Sequence, residues 1–172
     1  FDRIGELIPP PQNIGEQTGG DPDSIAARTF KYPAANAKVS GTPGWRKAEI
    51  PAANGHGNAR SVVRAQTPVA NGGSAFGVDL LSAEGAARIF DEQTNGKDLA
   101  LGVPMRFGMG YGLTGDQVPM GPNEHIAYWG GWGGSLIVID TERKMSIAYM
   151  MNRMDVGETG VIGDARGEQY MR

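Results

Sequence analysis

Glu124-His125-Ile126-Ala127-Tyr128-Trp129-Gly130-Gly131-Trp132-Gly133-Gly134-Ser135-Leu136-Ile137-Val138-Ile139-Asp140, with Lys144-Met145-Ser146-Ile147-Ala148-Tyr149-Met150-Met151-Asn152 behind it, decides how the rest of the chain is read. The pattern predicts three consecutive strands, His125 to Trp129, Ser135 to Ile139 and Met145 to Met151. Asp140-Thr141-Glu142-Arg143 has hairpin length, so the second and third strands are expected to pair antiparallel. Leu136 to Ile139 and Met145 to Met151 are nearly continuous apolar runs, which suits strands covered on both faces. Between the first two strands stand four glycines and an indole. Glycine within a strand pattern marks a bulge or a close approach to the backbone, so this sheet is expected to offer bare backbone to a ligand.

The totals restrict the alternatives. A chain of 172 residues can bury a sizeable core. Net charge is −3 with both signs interspersed, which leaves no basic stripe for nucleic acid and no polybasic membrane signal. Cysteine is absent, which excludes disulfides and thiolate metal sites. No apolar run approaches the roughly 20 residues that span a bilayer. Phe1 is not followed by a charged leader and apolar core, which favours a cytoplasmic location without fixing it. Glycine (27) and proline (11) are abundant, and many fall before Asn58.

Outward from the strands, the chain divides into a loop-rich segment, 1–58, and a segment of helices plus sheet, 59–172. Phe1 to Ile8 is expected to end a helix at Pro9-Pro10-Pro11. From Gln12 to Pro51 only Ser24 to Phe30 reads as helix, and the irregular remainder is expected to drape over a surface or wall a site. Asn58 caps a helix to Gln66, with Val62 and Val63 inward and Pro68 ending or kinking it. Asn71-Gly72-Gly73 is a turn. Ser82 caps a helix expected over Ala83 to Thr94, stopped by Asn95-Gly96. Val103 to Leu113 alternates large residues with glycine and reads as one strand. Thr114 to Asn123 and Asp155 to Gly163 are loops, and Asp164 opens a last helix. The fold class is therefore α+β of the α/β-sandwich type, an antiparallel sheet flanked by helices.

A self-contained catalytic set is not found. There is no Gly-x-Ser-x-Gly elbow. The nearest approach to Ser-x-x-Lys is Ser61-Val62-Val63-Arg64, whose arginine cannot be deprotonated to serve as base. Tyr32-Pro33-Ala34-Ala35-Asn36 has the residue types of a Tyr-x-Asn box at the wrong spacing. His56 and His125 are the only imidazoles and lack an evident third ligand, so no metal and no cofactor is expected. Glu124 and Asp140 flank the strand pair and read as solvated carboxylates.

At Trp129-Gly130-Gly131 the chain resembles the serine β-lactamase-like hydrolases, in particular the carboxylesterases sharing the class C β-lactamase fold. That family carries Lys-Thr-Gly on the strand that walls its active site. Its esterase branch writes the triplet as Trp-x-Gly or His-x-Gly, followed by a glycine-rich bend and a hairpin ending in Met-Asn-Arg. Trp132-Gly133-Gly134-Ser135 and Tyr149-Met150-Met151-Asn152-Arg153-Met154 match those features. Ala48-Glu49-Ile50-Pro51-Ala52-Ala53-Asn54-Gly55, Ala59-Arg60 and Leu80-Leu81-Ser82 are similar too.

The resemblance implies that this chain is the C-terminal half of such a hydrolase, incomplete alone, with the N-terminal half as its partner and a small-molecule ester as substrate. It implies that Trp132 supplies a backbone N–H to the oxyanion hole, while Trp129, Gly130 and Gly131 line the substrate edge. Trp129 in place of lysine removes a cation for carboxylate-bearing lactams. Two further readings stay open, an inactive binding module of the same fold and a penicillin-recognising relative.

Overall fold

The computed structural model describes residues 3–10, 21–31, 36–155 and 164–169. Its centre is a six-stranded sheet built from β3 (Thr94–Lys97), β4 (Pro104–Phe107), β5 (Gly112–Leu113), β6 (Ile126–Gly130), β7 (Leu136–Asp140) and β8 (Met145–Tyr149), in that spatial order. Every pairing is antiparallel. The three strands expected from the apolar runs are β6, β7 and β8, displaced by a residue or two at their ends. Asp140 pairs with Met145 across the 141–144 turn, so the hairpin forms where its polar connection puts it. A second, two-stranded hairpin joins β1 (Ser74–Ala75) to β2 (Val78–Asp79).

Alternation along the strands sorts the core into two layers. Ala127, Ile137 and Ile139 face one way and meet Val69, Ala70, Ile89 and Leu113. Ile126, Tyr128, Leu136 and Val138 face the other way and meet Met105. Helix α3 (Ala59–Ala70) lies against β7 and β8 on the first side, with Val62 and Val63 packed on its layer. Gly167 of α5 (Ala165–Glu168) and the Arg166 guanidinium lie against the Tyr149 ring, whose side chain joins the second layer. A long helix therefore covers the first side, and a short one meets the second side at Tyr149, which is the mixed helix and antiparallel-sheet arrangement of the α+β reading. β7, buried along its length, carries the centre of both layers. β8 is only half-buried, because no further strand pairs with it among the described residues.

Local chemistry accounts for the helices. α1 (Ile25–Lys31) starts after Ser24, whose Oγ accepts from the Ala27 amide at 3.1 Å. α2 (Pro43–Lys47) combines Thr42 as cap with proline in the first turn, a start signal the sequence reading passed over. α3 opens on a reciprocal box: Asn58 Oδ1 accepts from the Ser61 amide and Ser61 Oγ accepts from the Asn58 amide, both at 3.0 Å.

Four expectations are corrected. Residues 3–8 form no helix, since Ile8 bridges Arg153 in parallel and exchanges backbone bonds of 2.7 and 2.9 Å with Asn152 and Met154. Helix α3 runs through Pro68 to Ala70. Proline here loses its bond to the Arg64 carbonyl and crowds that oxygen with its ring, but only two helical residues follow it, and the Pro68 carbonyl accepts from Asn71 and Gly73 to close the end.

The helix expected to reach Thr94 stops much earlier, as α4 (Ala83–Ala87) followed by a 3₁₀ turn, Arg88–Phe90. The Ile89 carbonyl is taken by the Met109 amide and the Gln93 amide by the Phe107 carbonyl, so that backbone is recruited by the sheet. Asn95-Gly96 lies inside β3. Val103 to Leu113 is likewise not one strand but a hairpin of β4 and β5, joined where Gly108 passes the Ile89 carbonyl. A Cβ at Gly108 would fall 2.0 Å from that oxygen.

Candidate active site

The end of β6 runs past its neighbour β5 inside the sheet. Toward β7 the ladder is complete through Gly130↔Leu136, and the Gly131 amide extends it by donating to the Ser135 carbonyl at 2.9 Å. Strand amides alternate in direction, so those of Tyr128 and Gly130 point away from β7, while Trp132 lies in the turn just beyond the strand. On that side β5 stops opposite Tyr128. Trp129, Gly130, Gly131 and Trp132 thus run past the end of their neighbour. Among the described residues, no backbone carbonyl accepts from the Trp132 amide.

Trp129 is 38% exposed and leans on Phe107, with ring centroids 5.5 Å apart. With Gly131, Ser135, Ile137, Met150 and Ala52 it walls an open depression of about 200 Å³. Sites that enclose a small molecule measure roughly 300–1,000 Å³, so this one is a partial wall. A larger concavity of about 650 Å³ lies elsewhere, along Pro22 to Lys31. Its hydroxyl, Thr29 Oγ1, is committed to the Ile25 carbonyl at 2.7 Å, and no chemistry is assigned there.

Beyond the depression the chain turns through Trp132-Gly133-Gly134. Gly133 and Gly134 have φ of +108° and +103°, values that side-chain-bearing residues avoid. The Gly134 amide donates to the Gly131 carbonyl at 3.0 Å, and the Gly133 carbonyl accepts from Asp155 at 3.0 Å. Met151 and Met154 press on Gly133, and Asp164 presses on Gly134.

Asp164 is fully buried. Its carboxylate accepts from Arg166 Nε at 2.8 and 2.9 Å, from the Arg166 amide at 2.8 Å and from Tyr149 Oη at 3.3 Å, and it pairs with Arg166 Nη2. Burial pushes the Asp164 carboxyl up, but the Arg166 hydrogen bonds and charge outweigh it and hold the group below its ordinary range. The indole Nε1 of Trp132 and the hydroxyl of Tyr128 are buried without an acceptor or donor among the described residues, and burial pushes the Tyr128 hydroxyl up to about 12.

Trp129, Gly130, Gly131 and Trp132, singled out from sequence, are therefore gathered at one exposed strand end. The histidines are not part of it. His56 bonds the Asn54 carbonyl at 2.7 Å, while His125 pairs with Glu142 at 3.2 Å and meets the Phe90 ring edge-on. Among the described residues no three His, Asp or Glu side chains gather as a ligand set. Asp140, expected to be solvated, is buried and accepts from Asn123 Nδ2 at 2.7 Å and the Arg143 amide at 2.9 Å. The Asp164–Arg166 pair behind the bend went unread. Its sequence trace is an aspartate capping a helix with arginine two residues on.

The β-lactamase family model matches residues 10–170. Esterase/beta-lactamase LipL of Mycobacterium tuberculosis is 35% identical over 131 residues, which are 74% of this chain and 29% of that protein. A family VIII carboxylesterase of known crystal structure superposes with a TM-score of 0.75 at 36% identity, over 83% of this chain and 37% of its own. A penicillin-binding protein homolog from Caulobacter crescentus gives 0.81 at 30% identity, over 99% and 44%. The chain thus spans less than half the length of each of these relatives. The match over nearly all of its own length is decisive for descent: this chain belongs to the β-lactamase family.

Proposed function

We propose that the chain is the sheet-bearing part of a serine hydrolase that cleaves carboxylic esters through an acyl-enzyme, its nucleophile and bases lying in an N-terminal half. The observation that carries this reading is the strand end at Gly130 to Trp132, which runs past β5 and whose Trp132 amide meets no backbone acceptor among the described residues. Segment 1–58 forms the wall of the site, with Ala52 at the rim of the depression, and 59–172 forms the body.

In the proposed reaction a serine oxygen attacks the ester carbonyl carbon and its proton passes to a base. The carbonyl oxygen becomes an oxyanion held by the Trp132 amide, and the alcohol leaves with a proton. Water then releases the acid from the serine. Preorganised donors of this kind are worth roughly 2.7–4 kcal/mol each. A neutral acyl group lying along Gly131 meets no Cβ, since nothing stands within 4 Å of that position. Trp129, with no charge to offer, favours neutral esters. Nucleic acid has no role in this reading, nor does a membrane, and among the described residues no helix is long and apolar enough to cross one.

The test is a fluorophosphonate probe on the full-length protein together with hydrolysis of short p-nitrophenyl esters. Labelling at a serine outside these residues, with ester turnover, supports the reading. Absence of both leaves a non-catalytic module of the same fold. A second reading, β-lactam recognition, draws on the 0.81 superposition with the penicillin-binding protein homolog. Nitrocefin turned over faster than the esters would put it first.

A further inference from the structure

The glycine bend does not hold its own shape. Gly133 and Gly134 are conformationally permissive, and the two backbone bonds that close the bend, Gly131 to Ser135 and Gly134 to Gly131, leave the Trp132 amide itself unheld among the described residues. What surrounds the bend is rigid. Asp164 sits so close to Gly134 that a Cβ there would fall 2.3 Å from the Asp164 Cβ. Asp164 in turn cannot retreat. Its carboxylate is forked onto Arg166 and bonded by Tyr149 of β8, while Arg166 Nη2 donates to the Arg153 carbonyl at 2.8 Å. Asp155, two residues beyond Arg153, donates its amide to the Gly133 carbonyl. A buried carboxylate and its half-exposed guanidinium partner therefore tie three pieces of chain together directly behind the amide proposed to meet the substrate.

We propose that Asp164 and Arg166 form a positioning pair that sets the bend from behind and so fixes where the Trp132 amide points. Neither touches the substrate, and this rests on the oxyanion role proposed for Trp132. Geometry at such a donor matters steeply, since a misplacement of about 1 Å costs roughly 100-fold in rate. A pair that served folding alone would instead affect the whole sheet and leave turnover by the folded fraction intact.

The experiment uses the full-length protein with Asp164→Asn, which keeps the Cβ against Gly134 but removes the charge, and with Arg166→Lys, which keeps the cation but loses the fork. Amide hydrogen exchange is read at Gly134 and Asp155, with Ala127 and Ile139 in the β6–β7 ladder as controls. Steady-state kinetics are read on p-nitrophenyl acetate. Both variants are expected to speed exchange at Gly134 and Asp155 about tenfold or more with the controls unchanged, and to lower kcat by roughly 10- to 100-fold with KM within about twofold.

Three results would overturn the proposal: unchanged exchange at the bend, faster exchange there with unaltered kcat, or exchange rising throughout the sheet. Failure of both variants to fold would overturn it as well, by making the pair a folding element. If the wild-type protein hydrolyses no ester, the hydrolase reading falls, and the exchange measurement still decides whether the pair holds the bend.

Discussion

Two glycines three positions apart should respond oppositely to the same added methyl group. Gly134→Ala places a Cβ on a backbone with φ of +103°, a region that costs an L-residue about 1–2 kcal/mol. The same Cβ lands 2.3 Å from the Asp164 Cβ and 2.8 Å from its Oδ2. Ordinary carbon contacts lie near 3.5–4.0 Å, so a fully buried, ion-paired side chain must move by more than an ångström. Overpacking of that kind adds about 1–3 kcal/mol. The sum is about 2–5 kcal/mol, a large share of the roughly 5–15 kcal/mol that holds a typical domain folded.

Gly131→Ala has neither problem, because nothing stands within 4 Å of its Cβ and its φ is not in the strained region. Its stability should stay within about 0.5 kcal/mol of wild type. Its methyl group instead enters the depression beside Trp129, so ester hydrolysis should slow. Urea unfolding followed by tryptophan fluorescence gives both stabilities through the midpoint at constant slope. Equal stability for the two variants, or a destabilised Gly131→Ala beside an unaffected Gly134→Ala, would refute the account of the bend.

Three further predictions concern the scaffold. Ile139→Ala, at a fully buried position that faces α3, should lower stability by about 2–5 kcal/mol in thermal or urea melts. Tyr128→Phe removes a buried hydroxyl that has no partner among the described residues, so it should be neutral or stabilising by calorimetry. The Asp164 carboxyl is held below its ordinary value in the folded state. Its contribution is therefore present above the unfolded pKa of about 3.9 and is lost as pH falls from there through the lower folded-state pKa. Urea midpoints between pH 7 and pH 3 should consequently fall further in wild type than in Asp164→Asn.

The sheet was legible where the sequence is locally unambiguous. β6, β7 and β8 are apolar runs separated by a glycine cluster and by a four-residue polar turn, and no competing period offers another reading. The turn at Gly131 to Gly134 between β6 and β7 was legible for the same reason, since a glycine cluster between two apolar runs breaks a strand.

Misreadings fall where distant backbone decides. Ala83 to Thr94 carries good helix residues, but the Ile89 carbonyl and the Gln93 amide bond Met109 and Phe107 instead of the next helical turn. Asn95-Gly96 serves a strand as well as a helix stop. Pro68 was given too much weight, because it stands in the last turn and the helix needs to continue only two residues past it. The Asp164–Arg166 pair was beyond local reading altogether. Its meaning depends on contact with Gly134, and nothing in the spacing of those residues announces it.

The central claim is that the Trp132 amide, which meets no backbone acceptor among the described residues, holds the oxygen of a reacting carbonyl. A crystal structure of the full-length protein after reaction with a fluorophosphonate tests it most directly, because the phosphonyl oxygen stands in for the oxyanion. The account predicts that oxygen about 2.7–3.1 Å from the Trp132 nitrogen, with the phosphonate alkyl group along Gly131 and Trp129. An adduct whose phosphonyl oxygen lies beyond about 4 Å from that nitrogen, outside hydrogen-bonding reach, would contradict it.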